Sequence, residues 1–402
     1  MERSSDRILT THVGSLPRSE RLLELLVRRN KGEEVDEGEF RRQVAADMED
    51  VVRRQLEAGI DIGGDGELPR IGFSFYVKDR MSGFGGVAKR GTVADMHKFP
   101  GYAALRAGST RVVAEGKDLT RSASMYDAPE AQGEVRGDPE LRAASEELAI
   151  FAAALEAAAP HGRFRETFVT AATPGIVTTT MLRAEGHPVY ATDRDYLFAV
   201  AREQAKEYAL VVEQGHVLQL DAPDLAMERQ IMFQDRPLVE FLERAELHVE
   251  AINMAIEGLP RDRVRLHVCW GNWDGPHMDD VDLADVLPIL YAAKVGALSL
   301  AGANPRHQHD WKQFARHPLP AGMLLIPGVI DVTTNYLEHP EVVADRICAY
   351  AGAVGDPTRI VACTDCGFST FAGYVMVAPD VAWKKLETLA EGARLATERL
   401  FG

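Results

Sequence analysis

The stretch VRLHVCWGN, residues 264–272, is apolar for most of its length and ends in a Gly-Asn turn. It also carries His267 and Cys269 two positions apart. Seven other short apolar runs share the form of an extended segment closed by a Gly, Asp, Asn or Pro turn. They are ILTTHVGS (8–15), IDIGGDGE (60–67), FVTAATPG (168–175), VLQLDAPD (217–224), ALSLAGANP (297–305), LLIPGVID (324–331) and RIVACTDCG (359–367). Most are followed by an amphipathic pattern of helical period. RDYLFAVAREQAKEYALVVEQG stops at Gly215, and HPEVVADRICAYAGAVG opens with Pro and closes with Gly, as helices do. Strands alternating with helices imply a parallel sheet, and eight such units predict a closed (β/α)8 barrel. An open doubly wound sheet is the alternative, but no GxGxxG opens a helix after a strand.

Residues 68–165 break the rhythm, being too long for a connection between strand and helix. They include RIGFSFYVKDRMSGFGG and the Ala-rich PELRAASEELAIFAAALEAAAP. The interval is expected to be an insertion after the second strand, a lid over the barrel mouth, within a single catalytic unit spanning 1–402. Phe73, Phe75, Tyr76, Lys78 and Arg80 in the lid would suit an anionic or aromatic substrate, although such segments more often simply pack.

The chain has 402 residues, 46% of them hydrophobic, ample for a large core. Its net charge of -16 and lack of a basic stripe exclude a nucleic-acid binder. Four cysteines do not make a disulfide framework, and no apolar run approaches a membrane span. The expectation is a soluble cytoplasmic protein with no membrane partner; composition leaves the oligomeric state open.

In such barrels the chemistry lies where strands end. His267 and Cys269, at i and i+2, point to one side of their strand. A soft imidazole and thiolate suit zinc. Cys366, at the end of the eighth strand, completes a His-Cys-Cys set with an open position, the pattern of a catalytic zinc. Cys363, three residues earlier, should face the other way and pack. Zinc can keep a thiol ionised for alkylation or activate water for hydrolysis, and ligand spacing does not choose between them.

THVGSLPR, DGELPR, LQLDAPDLA, LHVCWGN, ANPRHQH, PGVID and TDCG occur in that order. In this the chain resembles the catalytic barrel of the cobalamin-independent methionine synthase family. It is most similar to the short branch that includes epoxyalkane:coenzyme M transferase. The resemblance implies zinc held by His267, Cys269 and Cys366, and alkylation of a small thiol held on zinc as thiolate by an alkyl donor. It also implies substrate contacts from the Val13-Gly14-Ser15 turn, Glu67 and Asp221. His12 and Arg306, at the same rim, join them as candidate substrate contacts, and Asp221 and Asp331 are the candidate catalytic carboxylates.

Two positions depart from the family pattern. Ala301 stands where a Glu usually supplies a fourth zinc ligand, leaving His307, Asp331 or water to fill the gap. Asp331 is followed by Val332 and Thr333 where the family usually has a general-acid His. A zinc lyase or hydrolase on the same barrel, or a metal-binding paralogue without turnover, therefore remain alternatives to the alkyl transferase.

Overall fold

A computed structural model describes residues 1–109, 113–114, 117–118 and 128–402. Eight parallel strands form one sheet: β1 (Leu9–Thr10), β2 (Ile62–Gly64), β3 (Glu166–Ala172), β4 (Val217–Asp221), β5 (Val264–Val268), β6 (Ala297–Leu300), β7 (Leu324–Ile330) and β8 (Val361–Thr364). Each of β2 to β7 pairs with its sequence neighbour, β1 pairs with β8, and a parallel bridge from Thr11 to Ile62 closes the ring. The expected (β/α)8 barrel is therefore present, with all eight predicted strands.

The helices form where the sequence punctuates them. Thr192 makes a reciprocal capping box with Asp195 at the start of helix Asp193–Glu213, which satisfies two backbone donors that the first turn would otherwise orphan. Helix Pro340–Val354 begins on its proline and ends at Gly355, whose φ of 76° disfavours residues with a Cβ. No helix among the described residues is long and apolar enough to cross a membrane.

Inside the barrel, alternate residues stack in layers. Phe168, Val217, Ala297, Leu324, Val361 and Cys363 belong to one buried apolar cluster. Across β4, β5 and β6, Gln219 is level with Arg265 and Ala297, and Asp221 is level with His267 and Ser299. The Arg265 guanidinium lies over the Phe168 ring, 3.7 Å from its centroid, and donates to Gln219 Oε1 (2.7 Å), Thr11 Oγ1 (3.2 Å) and the His12 carbonyl (3.1 Å). Burial brings its pKa down to about 10, so it stays charged at neutral pH inside the barrel.

The interval between β2 and β3 divides in two. Its first part reaches over the C-terminal strand ends. Asp95, on the short helix Ala94–Lys98, accepts hydrogen bonds from the His277 backbone (2.9 Å) and Trp273 Nε1 (3.4 Å), and Lys98 pairs with Asp279 at 2.6 Å. Arg90 forms a buried pair with Glu228 at 2.5 Å. Its second part is narrower in role than the expected lid. The Ala-rich helix Arg142–Ala157 packs beside helix Glu37–Glu57 in the outer ring, through the buried stripe Ala144, Leu148, Phe151 and Ala154. It takes the place of an ordinary barrel helix. Residues 110–112, 115–116 and 119–127 of the expected lid lie outside the described residues.

The aromatic and basic residues of the lid's first segment pack against protein. Tyr76 lies between Arg70 and Arg80, each 4.5 Å from its ring centroid, and Phe73 and Phe75 meet Phe371. Glu147 ties both arginines down, at 3.0 Å from Arg70 and 2.5 Å from Arg80. Burial alone would raise the Glu147 carboxyl, but the two guanidiniums outweigh it and hold the pKa at about 2. The folded-state pKa is below the ordinary glutamate value of about 4.3. The associated stability, of order 3 kcal/mol, is thus fully present above about pH 5 and lost as pH falls toward 2. Urea unfolding followed from pH 6 to 2 should show that loss in the parent and a shallower decline in Glu147→Gln. Equal slopes would mean that the carboxylate is not paired as described.

Candidate metal and substrate site

At the C-terminal ends of β5 and β8 the three expected ligands converge. One donor atom each from His267, Cys269 and Cys366 lies within 4.8 Å of the others. His267 is the inward residue of the last layer of β5. Its Nδ1 sits 3.3 Å from Ser299 Oγ on the neighbouring strand, and its buried Nε2 has no hydrogen-bond partner. A buried ring nitrogen without a partner is uncommon. Here the opposite nitrogen is fixed by a second residue, as in metal-ligating histidines.

Cys269 follows the end of β5 and Cys366 follows the end of β8. Hydrogen bonding from Cys366, with the adjacent His267, favours the thiolate of Cys269 against its burial. The same contact, together with burial, raises Cys366. Burial thus disfavours a second thiolate beside the first, which a cation between the sulfurs would relieve. An orphaned imidazole nitrogen beside two such sulfurs fits a zinc ion in donor type and spacing.

Cys363 is buried among the interior apolar side chains, and burial pushes its thiol up to about 12. It does not face away from the barrel interior as strict alternation would require. The strand ends at Thr364, so alternation does not carry through to Cys366.

Two buried carboxyls adjoin the cluster. Asp221 is the backbone partner of His267 and accepts from Gln219 Nε2 at 2.8 Å; burial raises its pKa to about 6. Glu67 accepts from Thr170 Oγ1 at 3.1 Å, and burial followed by the nearby Asp221 raises it to about 8. Gly14 makes room for Glu67, since a Cβ there would meet Glu67 Oε1 at 2.2 Å and Thr170 Cγ2 at 2.8 Å. Ser15 sits against Gly367, and its carbonyl accepts from the Phe368 backbone at 2.8 Å.

Other expected site residues are drawn elsewhere. His12 is buried with Nε2 2.8 Å from Gln55 of helix Glu37–Glu57, and burial lowers its pKa to about 4. Arg306 is exposed and reaches the Met278 carbonyl at 3.4 Å. Asp331 accepts from Thr333 and Thr334 in its own loop at 2.8–2.9 Å, which occupies both carboxylate oxygens. His307 is held by Asp280 and Asp310 rather than by the His267 cluster. Ala301 directly follows β6 and its N–H points to the Val268 carbonyl at 3.4 Å. Ser299 had no motif to mark it; its only signal is a hydroxyl in an apolar strand two residues before Ala301.

A parallel (β/α)8 barrel with a His-Cys-Cys cluster and two buried carboxyls at the C-terminal ends of its strands defines the class. Residues 8–108 match the catalytic domain of the cobalamin-independent synthase family. A methionine synthase from Thermococcus kodakarensis is 24% identical over 394 residues, covering 97% of this chain and 94% of that one. A 2-hydroxypropyl-CoM lyase from Xanthobacter autotrophicus is 29% identical over 177 residues, or 38% of this chain and 45% of the relative. That match spans under half of the relative's length. The solved B12-independent methionine synthase from Shewanella sp. W3-18-1 superposes with a TM-score of 0.69 at 19% identity, covering 98% of this chain and 99% of that one. Over nearly its whole length the chain is similar to methionine synthases, and over residues 8–108 to the catalytic domain of the cobalamin-independent synthase family.

Gly14→Ala should lower stability by about 1–3 kcal/mol through overpacking against Glu67 and Thr170. Adding Glu67→Ala should recover part of that loss in a double-mutant cycle measured by urea unfolding. Strict additivity would show that Gly14 and Glu67 do not touch.

Proposed function

We propose that the protein is a zinc-dependent alkyl transferase that activates a small thiol for attack on a methyl or small alkyl donor. The convergence of His267 Nε2, orphaned and buried, with the sulfurs of Cys269 and Cys366 supports this reading most directly. A zinc ion held there would lower the pKa of a thiol and keep it ionised at neutral pH.

The chain's own residues supply position. Ser299 orients the His267 ring. Glu67 and Asp221 place two buried carboxyls beside the cluster, and the charge complement of such a pair is a cation. This favours a thiol that carries an ammonium group, as an amino-acid thiol does, over one that carries a sulfonate. Gly14 leaves the space in which Glu67 can reach that ammonium.

A second reading, a lyase or hydrolase acting on water instead of a thiol, draws support from Ala301, which offers no carboxylate at the fourth position. Anaerobic mixing of the cobalt-substituted protein with homocysteine separates the two. A change in the cobalt spectrum on thiol addition is expected for transfer; an unchanged spectrum overturns it.

Cys269→Ala and Cys366→Ala should each cost the protein the one zinc equivalent held at this cluster, because two remaining ligands are too few for a catalytic site. Cys363→Ala should retain it. Zinc content by elemental analysis decides, and the reverse pattern for Cys363 and Cys366 would overturn the ligand set.

Ala301→Glu should bind zinc more tightly, by adding a ligand and a negative charge, and should turn over more slowly, because substrate must displace the new ligand. Chelator competition and initial rates test this. Unchanged affinity and rate would place residue 301 away from the metal.

A further inference from the structure

A second cluster of potential ligands lies at the same rim and plays no part in the function above. His277 and Asp280 belong to the loop after β5, and His307 to the loop after β6. Their donor atoms also fall within 4.8 Å of one another. His277 Nδ1 and His307 Nε2 both point at the same oxygen, Asp280 Oδ2, at 2.9 and 2.7 Å. The three side chains are only 12%, 2% and 7% exposed, in the order His277, Asp280, His307.

The far nitrogens decide what the near ones can do. His277 Nε2 lies 3.1 Å from the Trp273 carbonyl, which only accepts, so that nitrogen carries the proton. His307 Nδ1 lies 3.1 Å from the Asp310 carboxylate and carries its proton for the same reason. In the neutral rings the near nitrogens then present lone pairs to a carboxylate oxygen that also presents lone pairs. Three acceptors facing one point repel, and something positive must lie between them. It can be one cation or two additional protons. Two protons would make adjacent imidazoliums, with ring centroids 6.5 Å apart, in a buried setting.

The surroundings are also those that a bound cation needs. Asp310 and the Trp273 carbonyl hold the two rings by their far nitrogens, and Gln230 Nε2 donates to the other oxygen of Asp280. Each ligand thus has its own orienting partner, as metal ligands characteristically do. The Trp270 ring stacks on His307 with centroids 3.9 Å apart, and Trp273 stacks on His277 at 4.3 Å. Both rings are therefore fixed before any ion arrives.

We propose that His277, Asp280 and His307 form a second metal site for a divalent transition cation. Two imidazoles and one carboxylate suit ions of the zinc, cobalt or nickel type rather than calcium or magnesium. The ion would tie the loop that carries Cys269 to the loop after β6. It would also tie that loop to the lid, because Asp95 holds the His277 backbone. This inference does not depend on the thiol-alkylation reading.

The test is anaerobic cobalt titration of the full chain after chelator stripping, with bound metal counted by elemental analysis. The parent should bind two equivalents, one of them with thiolate-to-cobalt charge-transfer absorption. Cys269→Ser/Cys366→Ser should keep one equivalent without that absorption, and adding Asp280→Asn should remove it. Asp310→Asn in the double-cysteine background should weaken the remaining site by about 10–100-fold, as loss of an orienting partner does. A folded double-cysteine variant that binds no cobalt overturns the second site and leaves the protonated pair as its occupant. One equivalent in the parent with charge transfer overturns this inference alone; one without it overturns the His-Cys-Cys site alone.

Discussion

The lateral register of three adjacent strands is the constraint on which the site depends. Asp221, His267 and Ser299 are backbone partners across β4, β5 and β6. A slip of one residue in any of these strands would turn its polar residue outward and bring a leucine inward. The layer beneath resists such a slip. Arg265 is fully buried and charged, and its acceptors come from Gln219, Thr11 and His12. Moving β5 against β4 would strand that guanidinium without partners, and a broken buried charge interaction costs roughly 3–5 kcal/mol. The alignment of the candidate ligand layer is thus inherited from residues that need touch no ligand.

A second brace acts from β8. Asp365 accepts hydrogen bonds from the backbone N–H groups of Gly302, Ala303 and Asn304 at 2.7–2.9 Å. It thereby holds the turn that directly follows Ala301, and it is the residue next to Cys366. Gly328 permits this approach, since a Cβ there would meet Asp365 Oδ1 at 2.2 Å. The turn after β6 and the position of Cys366 are consequently set together. That coupling matters for any ion at the cluster, because Cys366 has no strand geometry of its own to place it.

Most of the fold was legible because parallel barrel strands are buried on both faces, so each reads as a short apolar run closed by a turn. His267 and Cys269 were legible because alternation puts i and i+2 on one side. The reach of alternation ended with the strands. Cys363 and Cys366 both turn toward the barrel interior or its mouth because the chain leaves extended geometry after Thr364. Arg306 and His307 are neighbours in sequence, yet one is exposed and the other is packed on Trp270. Nothing in the order of residues distinguishes them. The length of the interval alone suggests a lid for the Ala-rich helix, although its stripe of Ala144, Leu148, Phe151 and Ala154 carries the period of a barrel helix. Ser299 could be found only from the register.

Trp270 links the two histidine clusters. It directly follows Cys269, donates from Nε1 to the Val281 carbonyl at 2.7 Å, and stacks on His307. The first of these contacts folds the loop after β5 back on itself; the second sets it against the loop after β6. Asn272 Nδ2 adds a bond to the Gly367 carbonyl at 3.0 Å, beside Cys366. The sulfur of Cys269 therefore sits at the root of a loop fastened near its start to the turn after β8, at its side to His307 and at its middle to the segment over the strand ends through Asp95. The segment over the strand ends is thereby joined to Cys269 through His277 and Trp273 of this one short loop. The segment over the barrel mouth and the His-Cys-Cys cluster are in this way fastened to one loop.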